Sequence, residues 1–211
     1  MSGRRWLLPG RRLTQGRLPI YTVLLATLML GGCATLMKPA DNADRAWERR
    51  TAALEKIDRF TLKARVASGG VFGLKGNLVW RQRADDFDMS VSGPFGIGAL
   101  SLSGNPRLVT VETKNGSYTT PDPEDYLRKN MGWTFPVEGL RYWALGLPSP
   151  LTDAQIELDE LGRLLSLEQD DWQLEYSEYQ QVAGLQLPRK FSASHPEVKI
   201  KVVIDEWLQL P

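Results

Sequence analysis

Phe60-Thr61-Leu62-Lys63-Ala64-Arg65-Val66 sets Phe60, Leu62, Ala64 and Val66 two residues apart, with Thr61, Lys63 and Arg65 between them. A period of two belongs to a β-strand with one face on an apolar interior and the other in water. The pattern extends outward from there. Leu74, Gly76, Leu78 and Trp80 alternate with Lys75, Asn77, Val79 and Arg81, and Phe87, Met89 and Val91 alternate with Asp88, Ser90 and Ser92. Leu100 and Leu102, then 108–111, continue the meander, and Asn115-Gly116 is a hairpin turn signal. Further strands are expected at 155–158, 163–169, 172–179, 189–194 and 198–208, with turns at Gly162-Arg163 and Asp170-Asp171.

Helical spacing shows in three places. Over 44–58, Trp47, Leu54 and Ile57 share one face and Asp44 stands at a capping position. Asp122-Pro123-Glu124 begins a short helix through Lys129, with Pro early in the helix where its missing N–H does no harm. The segment 137–145 is expected to be helical, with Leu140, Trp143 and Ala144 on one side and Gly146 and Pro148 as stops. One helix, many strands, two short helices and more strands make an α+β protein with an antiparallel sheet. A single long sheet curls, and helices can cover its concave side.

The first residues read differently. Residues 1–19 hold Arg4, Arg5, Arg11, Arg12 and Arg17 and no acid, and an apolar run, 20–30, follows. That run is too short to span a bilayer and suits the apolar part of an export signal. Leu30-Gly31-Gly32-Cys33 comes next and resembles a lipobox, in which the thiol after small residues receives a diacylglyceryl group. The expected organisation is a removed signal at 1–32, a lipidated Cys33 with a tether to residue 42, and a domain at 43–211. Ala34 rather than Asp follows Cys33, which by resemblance to bacterial sorting rules directs the chain to the periplasmic face of the outer membrane.

Charge and residue types exclude several functions. Without residues 1–32 the chain has 21 basic and 25 acidic residues, a net −4, which argues against nucleic-acid binding. One Cys and one His provide neither an internal disulfide nor a Cys/His metal site. His195, before Pro196, is expected in an exposed loop with no nucleophile partner, and Asp85-Asp86 and Asp170-Asp171 read as solvated turns. Gly93-Pro94-Phe95-Gly96-Ile97-Gly98 lacks the residues of a phosphate loop. No enzyme, metal or cofactor is expected. Two questions stay open on residues alone. Phe95 either folds into the core or forms an exposed apolar tip for a membrane or partner. Trp80, Trp133, Trp143, Trp172 and Trp207 either fill a plain core or partly enclose a cavity.

Read together, several runs are similar to the LolB family of outer-membrane lipoproteins. They are Trp47, Phe60 to Arg65, Val79-Trp80-Arg81-Gln82, Gly93-Pro94-Phe95-Gly96, Leu100-Ser101-Leu102, Arg141-Tyr142-Trp143-Ala144-Leu145-Gly146-Leu147-Pro148, Gly162-Arg163-Leu164, Trp172 to Tyr179, and Ile200 to Trp207. The resemblance implies an open antiparallel β-barrel with a few helices as a lid over a hydrophobic cavity. It implies a receptor that takes lipoproteins by their acyl chains from the periplasmic carrier LolA and inserts them into the inner leaflet of the outer membrane, and that acts as a monomer. It also makes Pro94, Phe95 and Gly96 the membrane-insertion loop. From alternation, the cavity-lining candidates are Leu62, Leu78, Trp80, Met89, Leu100, Leu102, Trp143 and Leu145.

Overall fold

The alternation that begins at Phe60 is realised as one antiparallel sheet of eleven strands. A computed structural model describes residues 39–69, 75–93, 98–131, 137, 139–196 and 198–210. Cys33, residues 1–32 and the loop residues Pro94, Phe95 and Gly96 lie outside these, as do Leu74 and Trp133. The strands are β1 (Arg59–Ser68), β2 (Lys75–Arg83), β3 (Asp86–Ser92), β4 (Gly98–Asn105), β5 (Leu108–Thr113) and β6 (Gly116–Thr120), then β7 (Gln155–Leu158), β8 (Leu164–Gln169), β9 (Trp172–Val182), β10 (Leu185–His195) and β11 (Val198–Leu208). Their order is β6-β5-β4-β3-β2-β1-β11-β10-β9-β8-β7. β1 therefore sits centrally, paired with β2 and with the last strand, and the sheet is not closed, because β6 and β7 are not paired.

Register follows from the pleat. Leu62 lies opposite Trp80 on β2 and Trp207 on β11, and Trp80 opposite Met89. Phe60 meets Trp80 and Trp207 edge-on, each with ring centroids 5.3 Å apart. Such pairs add about 0.5–1.5 kcal/mol beyond the area they bury. The other face carries cross-strand ion pairs. Arg81 donates to Asp88 at 3.1 Å, Lys63 to Glu206 at 2.9 Å, and Arg65 grips both oxygens of Asp205 at 2.7 and 2.9 Å. A β-bulge makes the last contact. Lys63 pairs with Glu206 and Ala64 with Ile204, so Asp205 is the extra residue. Exposed pairs of this kind are worth little in water, but they keep the outer face polar.

Among the described residues three helices accompany the sheet: α1 (Pro39–Leu54), α2 (Pro123–Met131) and α3 (Leu140–Leu145). α1 starts five residues before Asp44, so the last part of the segment expected to be tether is helical. Pro39 opens it, a residue whose fixed φ suits a first helical turn. α1 also ends before Ile57, which is buried from a turn beyond the helix, with its N–H on the Leu54 carbonyl at 3.0 Å. α2 matches its expected start, because the Asp122 carboxylate accepts the Asp125 N–H at 2.9 Å. α3 is shorter than 137–145, since Gly139 is its N-cap. Gly146, at φ 76°, closes it: its N–H bonds the Trp143 carbonyl and the Leu147 N–H bonds that of Tyr142.

The β9–β10 hairpin is longer than the alternation indicated. Ala183 and Gly184, at φ 47° and 83°, form a two-residue turn. Pro188 lies within β10, beside a shift in the pairing with β9.

Beneath that hairpin, Tyr176 donates to the Trp143 carbonyl at 2.9 Å and Tyr179 to that of Leu164 at 2.8 Å. Burial pushes both phenols above their ordinary range. A raised folded pKa means that the stabilisation is complete below the unfolded value near 10 and is lost as pH rises beyond it. The urea midpoint is therefore expected to hold steady to about pH 10 and then fall, with a shallower fall in Tyr179→Phe.

Candidate functional site

The inward side chains of the sheet surround a cavity of about 130 Å³. β1 to β4 supply Leu62, Leu78, Trp80, Met89, Leu100 and Leu102, and β9 to β11 supply Trp172, Phe191, Ala193, Ile200, Val202 and Ile204. Strands far apart in sheet order thus face one space. α3 crosses it with Leu140, Trp143 and Ala144. Among the described lining residues Ser68 is the only polar one and none is ionisable, so the space suits a hydrocarbon.

The lining reaches Val66 and Ser68 on β1, Val91 on β3 and Ile200 on β11, which are half-buried. These lie at the end of the sheet where β3 leads into the segment 94–97 and on to β4. The other end is crossed by α1. A Cβ on Gly162, in the β7–β8 turn, would lie 2.5 Å from the Trp47 nitrogen and 2.7 Å from the Ala43 carbonyl oxygen.

Trp143 is held by a buried clasp. Gln169, the last residue of β8, is 3% exposed. Its Oε1 accepts the Trp143 Nε1–H at 3.0 Å and the Ser149 N–H at 2.8 Å. Its Nε2 donates to the carbonyls of Ser149 at 2.8 Å and Thr152 at 3.0 Å. Every hydrogen-bonding position of the amide is used. The start of α3 is held differently. Arg141 donates from Nη1 to the Ala84 carbonyl at 3.0 Å and reaches Asp85 at 3.4 Å, in the turn between β2 and β3.

Of the eight lining candidates, Leu62, Leu78, Trp80, Met89, Leu100, Leu102 and Trp143 border the cavity. Leu145 is buried at 2% exposure but is not among the lining residues. Trp172 also lines the space, whereas Trp207 packs in the core. Phe191, Ala193, Ile200, Val202 and Ile204 were outside the candidate set. Their period of two was readable, but which strands face each other is not a local property. His195 is not in an exposed loop. It ends β10, half-buried, with its ring 5.2 Å from that of Trp172. Asp85, Asp170 and Asp171 are exposed turn residues, Asp86 is exposed at the start of β3, and Asp170 and Asp171 take φ 53° and 63° between β8 and β9.

The family model described as "Outer membrane lipoprotein LolB" matches residues 59–207. The chain belongs to the LolB family. Among relatives, the outer-membrane lipoprotein LolB of Nitrosococcus oceani is 37% identical, over 88% of this chain and 94% of its own. Those of Chromohalobacter salexigens and Pseudomonas paraeruginosa are each 32% identical, covering 89% and 90% of this chain and 89% and 96% of theirs. A solved LolA superfamily protein from Nitrosomonas europaea aligns with a TM-score of 0.47 and 8% identity, over 79% of this chain and 93% of that one. A LolB-family protein is a lipoprotein-binding receptor rather than an enzyme.

Proposed function

We propose that this chain is a receptor anchored to the outer membrane that accepts lipoproteins from a LolA-type carrier and inserts them into the inner leaflet of that membrane. The apolar cavity that opens toward the 94–97 end of the sheet carries this reading. An acyl chain gains about 0.8 kcal/mol per buried CH₂, so an uncharged and mostly apolar wall suffices to hold it. In this reading the curled sheet is an open barrel and α3 is part of its lid. A cavity of about 130 Å³ is small beside the roughly 300–1,000 Å³ of pockets that enclose drug-sized ligands, so cargo enters by displacing the lid.

The remaining parts follow from the sequence. Residues 1–32 are the export signal, Cys33 carries the lipid anchor, and the tether is the short stretch before α1 at Pro39. One acyl chain anchors only marginally, so the anchor needs two or more. Pro94, Phe95 and Gly96 are the residues that enter membrane lipid. The receptor works as a monomer, without cofactor.

Residues 39–211, beginning at the start of α1, are mixed with LolA carrying a triacylated lipoprotein and separated by gel filtration. Cargo is expected on the receptor domain, and cargo left on LolA by a folded domain would contradict the reading. Phe95→Asp is expected to take up cargo normally and to fail in passing it to liposomes. Release at the wild-type rate would remove the tip from the mechanism.

A further inference from the structure

At about 130 Å³ the cavity is small beside pockets of roughly 300–1,000 Å³, and among the described residues α3 is the wall element outside the sheet. The two ends of α3 are attached by different chemistry. At the C-terminal end, Trp143, Ser149 and Thr152 converge on Gln169 through four hydrogen bonds of 2.8–3.0 Å, and Tyr176 donates to the Trp143 carbonyl at 2.9 Å. Gln169 and Tyr176 are buried, at 3% and 4% exposure. Breaking such a network strands several polar groups away from water, which costs far more than the bonds contribute when made. At the N-terminal end no side chain of the described residues caps the helix. The Arg141 guanidinium holds a turn through the Ala84 carbonyl and Asp85, whose side chain is 81% exposed. Water can replace those contacts as they break, and salt screens them.

We propose that Gln169 is the positioning residue that pivots α3, and that the lid swings open at its Arg141 end to admit an acyl chain. The proposal rests on the acyl-cavity reading above. Gln169 touches no cargo. It sets where Trp143 stands, and so the shape of the wall that the cargo displaces.

The mature chain, residues 33–211 with Cys33→Ser so that no acyl group of its own competes, is titrated with a fluorescent palmitate analogue. Arg141→Cys with Asp85→Cys, bridged by a short bismaleimide, is expected to block uptake. Glu157→Cys with Ser166→Cys, whose native side chains bond at 2.9 Å between β7 and β8, is expected to leave uptake unchanged when oxidised to a disulfide. The reverse pattern, or equal block by both, overturns the pivot. Gln169→Glu keeps the acceptor for Trp143 and Ser149 but loses the two donations. Probe release is expected to be about ten-fold faster when that carboxyl is ionised and to recover as falling pH restores a donor. A pH-independent defect would reduce Gln169 to a packing residue.

Hydrogen exchange on the ligand-free chain separates this proposal from the reading it rests on. The Ser149 amide, bonded to Gln169, should exchange more slowly than the Tyr142 and Trp143 amides, which bond Gly139 at 3.1 and 3.2 Å. The opposite order overturns the pivot even if the probe binds. Absence of probe binding with this order intact would instead overturn the acyl reading.

Discussion

Ala144→Phe is expected to leave a folded protein that no longer takes up acyl cargo. Ala144 is 3% exposed and faces the cavity from α3. A phenyl ring there projects into a space of about 130 Å³ and occupies much of it. Overpacking of this kind costs about 1–3 kcal/mol, part of which the new apolar contacts return. The chain should therefore melt a few degrees lower and keep its far-ultraviolet spectrum. Binding of a palmitate analogue should weaken at least ten-fold, since each excluded CH₂ forfeits about 0.8 kcal/mol. Leu145→Met, at the next position but off the cavity lining, should bind as the wild type does. Equal binding by Ala144→Phe would mean that the acyl chain lies elsewhere, and would remove the cavity from the mechanism.

Gly162→Val should be the most destabilising single substitution considered. Gly162 has φ 67°, a region that a β-branched side chain strongly resists. Its Cβ would also stand 2.5 Å from the Trp47 nitrogen, 2.7 Å from the Ala43 oxygen and 2.8 Å from the Ala46 carbonyl carbon. All three are backbone atoms of α1, which cannot rotate away as a side chain can. Strain and collision together are expected to cost about 3–5 kcal/mol, read from urea unfolding. Gly184→Val separates the two effects. Gly184 also has a left-handed φ, 83°, but nothing lies within 4 Å of its added Cβ. It should cost only the backbone share, about 1–2 kcal/mol. The difference between the two measures the close approach of α1. If the two variants unfold alike, α1 is not seated on the β7–β8 turn in solution.

Strand positions were legible wherever one face of the sheet is buried and the other wet. Arg59–Ser68 and Asp86–Ser92 alternate cleanly because ion pairs such as Lys63–Glu206 and Arg81–Asp88 occupy the outside. The expected strands 172–179 and 189–194 stop short of the β9–β10 turn because Gln180 and Gln181 interrupt the apolar rhythm. The pairing of β10 with β9 continues past Pro188 through a register shift.

Helix ends were less legible. α1 is positioned by a glycine more than a hundred residues away, and α3 starts at Leu140, capped by Gly139, rather than at Val137. By contrast, Gly146 marked the end of α3 correctly, because a left-handed cap is a local requirement.

The candidate site divides along the same line. Leu62, Trp80, Met89 and Leu102 could be placed on an inward face from their spacing alone. Whether that face met a filled core or a space could not, since Leu145 and Trp207 share the same character and are simply packed.

By itself, the order of residues determined the period of each strand, the turns at Asp170-Asp171 and Gly146, and the family to which the chain is similar. Each of these depends on neighbours within a few positions or on the run of residues as a whole. Only the tertiary structure decided that β1 pairs with the final strand, that β4 and β9 look into one cavity, and that Gln169 clasps α3. Those outcomes depend on the sheet bringing residues together that are dozens of positions apart, and no local spacing encodes which inward faces will meet.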